Sequence, residues 1–104
     1  MSVDITRVFK DMAKAAGQSL KDEGAELGAE IHAVLANNKA SIAELVEARI
    51  LGDINEEDFE LELAREKVIL EAELIAQEIA GKAAVQKAVN GAMQVLTSAV
   101  SAAL

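Results

Sequence analysis

The chain of 104 residues contains no proline and no cysteine. Because proline costs roughly 3 kcal/mol inside a helix, its absence removes the commonest reason for a helix to stop. The absence of cysteine excludes disulfide bonds, thiolate nucleophiles and cysteine-ligated metal ions. Aromatic residues are nearly missing too, since Phe9 and Phe59 are the only ones. Ala, Leu, Val and Ile therefore dominate the residues available for a core, and this composition predicts an all-α protein.

Side chains suited to catalysis are equally scarce. His32 is the only histidine, and no carboxylate or second imidazole lies one helical turn away from it. None of the five serines lies beside His32, so the sequence assembles no nucleophile, base and orienting group. The six glycines are scattered and form no phosphate-binding loop. We therefore expect no enzymatic activity, no cofactor and no bound metal, and we interpret His32 as a surface or helix-seam residue.

The net charge of −8 argues against nucleic acid as a partner, because a phosphate backbone is bound mainly by Lys and Arg. The charge is uneven, since residues 22–80 carry sixteen acidic and four basic groups while both ends are mildly basic. Acidic residues also recur one helical turn apart, at Asp22, Glu26 and Glu30 and again at Glu62 and Glu66. Such rows indicate either solvated helix faces or a docking surface for a basic partner.

The C-terminal segment leaves a membrane role open. Residues 88–104 contain no charged side chain but include five polar ones. The segment falls short of the roughly 20 mostly apolar residues that span a bilayer, so we expect it to be buried in a bundle or to lie in a membrane interface. The N-terminal arm, with Val8, Phe9 and Met12 opposite two lysines, has the same ambiguity. No signal peptide is recognisable, and the expected location is cytoplasmic, with peripheral membrane attachment as the alternative.

The stretch ILGDINEEDFE carries the most constrained positions in the chain. Gly52 follows a run of strong helix formers and is placed to end a helix in a left-handed conformation. Asn55 is suited to cap the next helix, and Asp58 three residues later forms a variant of the capping box. Ile54 and Phe59 have the spacing of a hydrophobic staple, which sets the angle at which the chain enters a helix. The stretch therefore predicts a structural corner between two helices.

Calcium binding is the competing interpretation of this corner. Asp53, Asn55 and Glu57 alternate like the first three ligands of an EF-hand loop. That loop also needs Gly at its sixth position and Glu at its twelfth, where this chain has Asp58 and Ala64. We therefore expect no metal site here.

The corner resembles the turn of the short C-terminal oligomerisation module found in many bacterial proteins, the SHOCT-type motif. In that module a Leu-rich helix, a turn containing Gly and Ile, and an acidic helix start follow one another. The matching residues, which cover about a quarter of the chain, are Leu45, Gly52, Ile54, Glu56, Glu57, Phe59 and Glu60. Downstream, LAREKVIL fits the basic residues and paired leucines of the module only loosely. The resemblance implies self-association rather than catalysis.

Apolar residues recur at spacings of three and four on both sides of the corner, which predicts two helical arms. The expected fold is a long antiparallel helical hairpin, a single domain over residues 1–104, with a first arm over 4–51, a turn at 52–55 and a second arm over 56–102. Three glycines between residues 17 and 28 and the stretch ANNKAS are candidate breaks in the first arm. If both arms are continuous, the hairpin is on the order of 65 Å long.

The second arm carries two rows of apolar residues. The first includes Phe59, Leu63, Leu70 and Leu74, and the second includes Leu61, Val68, Ile75, Val89, Met93 and Val100. In a lone hairpin the second row would face water, which soluble monomers rarely tolerate. Two hairpins paired into an antiparallel four-helix bundle would hide it, so we expect a homo-oligomer.

The predicted function is that of a non-enzymatic, self-associating helical structural or interaction protein. The alternative is a peripheral membrane-binding protein that uses its apolar C-terminal segment and its amphipathic N-terminal segment. The residues expected to face the interface, or the membrane in the alternative, are Val85, Val89, Met93, Leu96 and Val100.

Overall fold

The computed structural model describes residues 3–18, 24–78 and 80–104. This part of the chain is all-helical, as the composition predicts. Its five helices are α1 (Ile5–Gln18), α2 (Gly24–Asn37), α3 (Lys39–Ile50), α4 (Glu56–Ala76) and α5 (Lys82–Ala103). The bundle measures 40 × 21 × 19 Å, which is much shorter than a hairpin with two unbroken arms.

Helix α1 lies at the centre of one half of the bundle, where it packs chiefly against α2 and α5. Its buried residues are Val8, Phe9, Met12 and Ala16. These residues are separated by one, three and four positions in the sequence, which places their side chains on one face of the helix. Helix α4 completes the other half of the bundle by packing on α2, α3 and α5.

The first arm is broken, as the sequence allows. Helix α1 ends at Gln18 and α2 begins at Gly24. A second break lies at Asn38, within the ANNKAS stretch, where the Nδ2 group donates a hydrogen bond of 2.8 Å to the Val34 carbonyl. The same carbonyl accepts a bond of 3.2 Å from the Asn38 backbone N–H. Asn38 therefore donates hydrogen bonds to carbonyl groups at the end of α2, and α3 begins directly after it.

The corner has the geometry that its residues encode. Gly52 has a φ of 82°, and its N–H donates to the Arg49 carbonyl at 3.2 Å while the Asp53 N–H donates to the Ala48 carbonyl at 2.8 Å. This pair of bonds is the Schellman motif that ends a helix at a left-handed residue. Asn55 then caps α4, because its Oδ1 accepts a 2.8 Å hydrogen bond from the Asp58 N–H. The chain thus turns between α3 and α4 with hydrogen bonds to backbone groups at the end of α3 and at the start of α4.

The staple pair also lies where the corner requires it. Phe59 is buried in the core, and Ile54 is half-buried and packs against the same cluster. These two side chains anchor the start of α4 to the bundle, so the hydrogen bonds of the corner do not act alone.

The second arm differs from the continuous arm expected over 56–102. Helix α4 ends at Ala76 and α5 begins at Lys82. Glu78 adopts a left-handed φ of 57° after the last turn of α4, and Gly81 takes the N-cap position of α5 with an extended backbone. The physical reason is tertiary, since the break allows α5 to turn back and bury its apolar face against α1.

Most of the apolar surface that suggested an oligomer is hidden within one chain. The described core contains 21 buried apolar residues drawn from all five helices. The radius of gyration of the Cα atoms, 13.1 Å, matches a compact domain of about 100 residues. Two unbroken arms would leave a full row of apolar residues exposed, and pairing of two hairpins would be needed to cover it. Breaks in both arms remove much of that exposed row.

Candidate interaction surface on α4

Helix α4 has two apolar faces that point in opposite directions. Its inner face is buried in the core and consists of Phe59, Leu63, Leu70 and Leu74. Because residues two apart are separated by about 200° around a helix, Leu61 lies opposite Phe59 and Leu63. The inner face therefore attaches α4 to the bundle and directs a second set of apolar side chains into solvent.

The second set forms what we call the outer stripe, defined by Leu61, Val68, Ile69 and Ile75. These side chains are 56%, 64%, 43% and 38% exposed. Leu51 and Leu104 are the remaining large apolar residues exposed in the described ranges, and neither lies on α4. Several large exposed apolar side chains on one helix face often mark a functional surface on a monomer.

Acidic residues border the outer stripe. Glu57, Glu60 and Glu62 are exposed near its first half, and Glu71 is half-exposed near its second half. Arg65 lies within the stripe, where its Nη1 donates a 3.0 Å hydrogen bond to Glu62 Oε1 in an exposed ion pair. The stripe is therefore an apolar surface framed mainly by negative charge.

The bundle holds α4 in a defined orientation. Ser41 Oγ on α3 donates a 2.6 Å hydrogen bond to Glu66 Oε1 on α4. Glu66 lies toward the inner side of α4, so this bond and the buried inner face together fix the rotation of the helix. The outer stripe is thus presented on a rigid element rather than on a loop.

The five residues expected to face an interface or a membrane lie in the interior instead. Val85, Val89, Met93, Leu96 and Val100 are all buried, and none is more than 8% exposed. The sequence showed that this face of α5 is apolar, but it could not show that α1 covers it. The surface predicted from α5 is therefore corrected to core, and the membrane alternative would require α5 to leave the bundle.

The second apolar row predicted from the sequence is split by the fold. Its first half, Leu61, Val68 and Ile75, is exposed on α4, whereas Val89, Met93 and Val100 are buried on α5. The periodicity identified both halves, but only the position of α5 against α1 distinguishes them. Of the corner residues, Gly52, Ile54 and Asn55 lie in the turn between α3 and α4, and Asp58 and Phe59 lie in the first turns of α4.

His32 lies on a groove between α1 and α2. The groove has a volume of about 550 Å³. Most of its lining residues are glycine or alanine, and Lys14, Gln18 and His32 complete the lining. No carboxylate lines it. His32 is exposed, which agrees with its interpretation as a surface or seam residue.

The remaining candidates concern metals, membranes and the acidic row of α2. Within residues 3–18, 24–78 and 80–104, no group of three potential metal-binding side chains comes together, and no helix is long and apolar enough to cross a membrane. Of the acidic row, Glu26 is exposed and Glu30 is half-buried, while Asp22 lies outside the described residues.

Comparisons with protein-family models, with curated proteins and with solved structures found no match for this chain. The resemblance of the corner to the SHOCT-type module therefore stays a prediction.

Proposed function

We propose that the protein is a non-enzymatic helical interaction module that self-associates through the outer stripe of α4. The observation that carries this proposal is the pair of opposite apolar faces on α4, one buried and one exposed. A helix needs only one apolar face to pack on its own bundle. The second face has no partner within the described chain and is suited to pack against another helix.

The proposed self-association is weak. Contact along one helix face buries less than the roughly 1,000 Å² of a stable protein interface. Two copies also bring their acidic borders together, and each copy carries a net charge of −8. Because salt screens this repulsion while burial of the stripe remains favourable, self-association should strengthen as the salt concentration rises.

Sedimentation velocity over a wide range of protein concentration tests the proposal. The average mass of the wild-type protein should rise with concentration, and more steeply at high salt. A variant with Leu61→Ser, Val68→Ser and Ile75→Ser should stay monomeric under the same conditions. Leu51→Ser is the matched control, because Leu51 is also exposed but lies at the corner. A wild-type protein that stays monomeric throughout, or a triple variant that associates like wild type, would contradict the proposal.

A further inference from the structure

The outer stripe has the spacing of a two-helix seam. Leu61, Val68 and Ile75 are seven residues apart, and the residues between them on the same side of α4 are Arg65 and Ala72. Apolar residues repeated in this way pack against a partner helix lying alongside, as in coiled coils. The stretch from Leu61 to Ile75 is about 21 Å long, so it accommodates about four turns of one helix.

The positions that flank this seam carry only negative charge or no charge. With Leu61, Val68 and Ile75 in the seam, the flanking acidic residues on α4 are Glu57, Glu62 and Glu71. The other flanking positions from residue 57 to residue 76 are Ala64, Ile69 and Ala76, so none is basic. In helix pairs, flanking charges select the partner and its orientation more than they set the affinity.

A second copy of this chain is therefore only a weak partner for the seam, as in the proposed self-association. Its own flanking residues are acidic, so pairing two copies places like charges near one another. The contact is also too small for burial alone to hold a stable dimer against that repulsion. A partner helix with Lys or Arg beside its apolar seam would replace the repulsion between flanking acidic residues by attraction. It would bury the same apolar side chains of α4.

We infer that the preferred occupant of the outer stripe is an amphipathic helix of another protein, about four turns long, with an apolar heptad seam flanked by Lys and Arg. The inference rests on the proposed role of the outer stripe as a contact surface and specifies which partner that surface selects. The ion pair between Arg65 and Glu62 at 3.0 Å offsets both charges, so Glu57 and Glu71 carry the preference for a basic partner. The basic helix competes with the weaker self-association for the same face.

Two synthetic peptides test this partner chemistry. Both carry the same Leu and Ile heptad seam over four turns, one with Lys and the other with Glu at the flanking positions. Binding of each labelled peptide to the full chain is measured by fluorescence anisotropy at low and high salt. The Lys-flanked peptide should bind at least about tenfold more tightly than the Glu-flanked one, and its affinity should fall as salt rises.

Variants of the full chain separate the seam from general charge attraction. The variant with Leu61→Ser, Val68→Ser and Ile75→Ser keeps every charge and should bind the Lys-flanked peptide at least about tenfold more weakly. Leu51→Ser should bind it like wild type. The variant with Glu57→Gln and Glu71→Gln should lose much of the preference for Lys over Glu. Circular dichroism establishes that each variant is folded. If the triple variant is unfolded, the single variant Val68→Ser replaces it.

The possible outcomes also separate the inference from the proposed function. Equal binding of the two peptides, no binding, or undiminished binding to the triple variant would overturn the inference. If self-association depends on the stripe but the Lys-flanked peptide fails to dissociate it, the occupant is a second copy, and the proposed function stands without the inference. If the protein stays monomeric and yet binds the Lys-flanked peptide through the stripe, the inference stands and self-association fails.

Discussion

Gly28 on α2 lies so close to Ala13 on α1 that an added Cβ atom would be 3.1 Å from the Ala13 carbonyl oxygen. The same atom would be 3.5 Å from the Cα of Gly17. Both neighbours belong to the backbone of α1, which cannot rotate out of the way as a side chain can. Gly28 thus sets the separation of α1 and α2.

Substitution Gly28→Ala should therefore lower stability. Overpacking of this kind costs about 1 to 3 kcal/mol, while alanine recovers up to about 1 kcal/mol of helix propensity, so we expect a net loss of roughly 1 kcal/mol in the free energy of unfolding. Urea denaturation monitored by circular dichroism measures it.

Gly91→Ala is the matched control, because Gly91 also lies inside a helix but its Cβ would be 3.7 Å from the nearest atom, the Ala15 carbonyl oxygen. That distance is ordinary van der Waals contact, so the control should be neutral or stabilising. Equal destabilisation by both substitutions would contradict the role assigned to the close approach at Gly28.

The start of α4 depends on the cap at Asn55. Removal of its Oδ1 acceptor by Asn55→Ala leaves the Asp58 N–H without its 2.8 Å partner, and we expect a loss of about 1 kcal/mol in the free energy of unfolding. Asn55→Asp retains an acceptor in the same place and should change stability little. Thermal unfolding of the two variants measures the difference, and an alanine variant as stable as the aspartate variant would show that the cap contributes nothing.

The end of α4 offers a stabilising substitution. Glu78 adopts a left-handed φ of 57°, a conformation that costs a residue with a Cβ roughly 1 kcal/mol or more and that glycine adopts freely. Glu78→Gly should therefore raise the free energy of unfolding by about 0.5 to 1 kcal/mol. Glu60→Gly is the opposite control, since Glu60 is exposed in the interior of α4 and glycine there should destabilise. If both substitutions lower the melting temperature, the break after α4 does not have the assigned backbone conformation.

The two apolar faces of α4 should respond differently to truncation. Leu70→Ala removes a residue that is 2% exposed and should cost about 2 to 5 kcal/mol of stability. Val68→Ser removes a side chain that is 64% exposed and should change stability by less than about 0.5 kcal/mol while weakening self-association. Urea denaturation and sedimentation velocity measure the two effects. A large loss of stability from Val68→Ser would mean that the outer stripe belongs to the core.

The helices and the corner follow from local signals. The absence of proline, the abundance of helix formers and the apolar spacing indicate an all-α chain. At the corner, glycine in a left-handed position and asparagine as a helix cap act over a few residues, so neighbouring residues alone specify the turn. Leu61, Val68 and Ile75 were likewise recognisable as a second apolar row.

The break in the second arm was not recognisable in the same way. Between Gln77 and Gly81 only the glycine disfavours a helix, and single glycines inside helices are common enough that Gly81 carries little weight. The helix ends there because α5 gains more by burying its apolar face on α1 than by continuing α4. That gain comes from residues about eighty positions away in the chain, so no local pattern reveals it.

The sequence by itself determined that the protein is helical, that it turns at residues 52–55, and that one arm has more apolar surface than a single helix face holds. Only the tertiary structure decided which part of that surface is exposed. Val89, Met93 and Val100 are covered by the bundle, and Leu61, Val68 and Ile75 are not. The reason is that periodicity places a side chain on a face of its helix, whereas the packing partner of that face depends on contacts between distant segments.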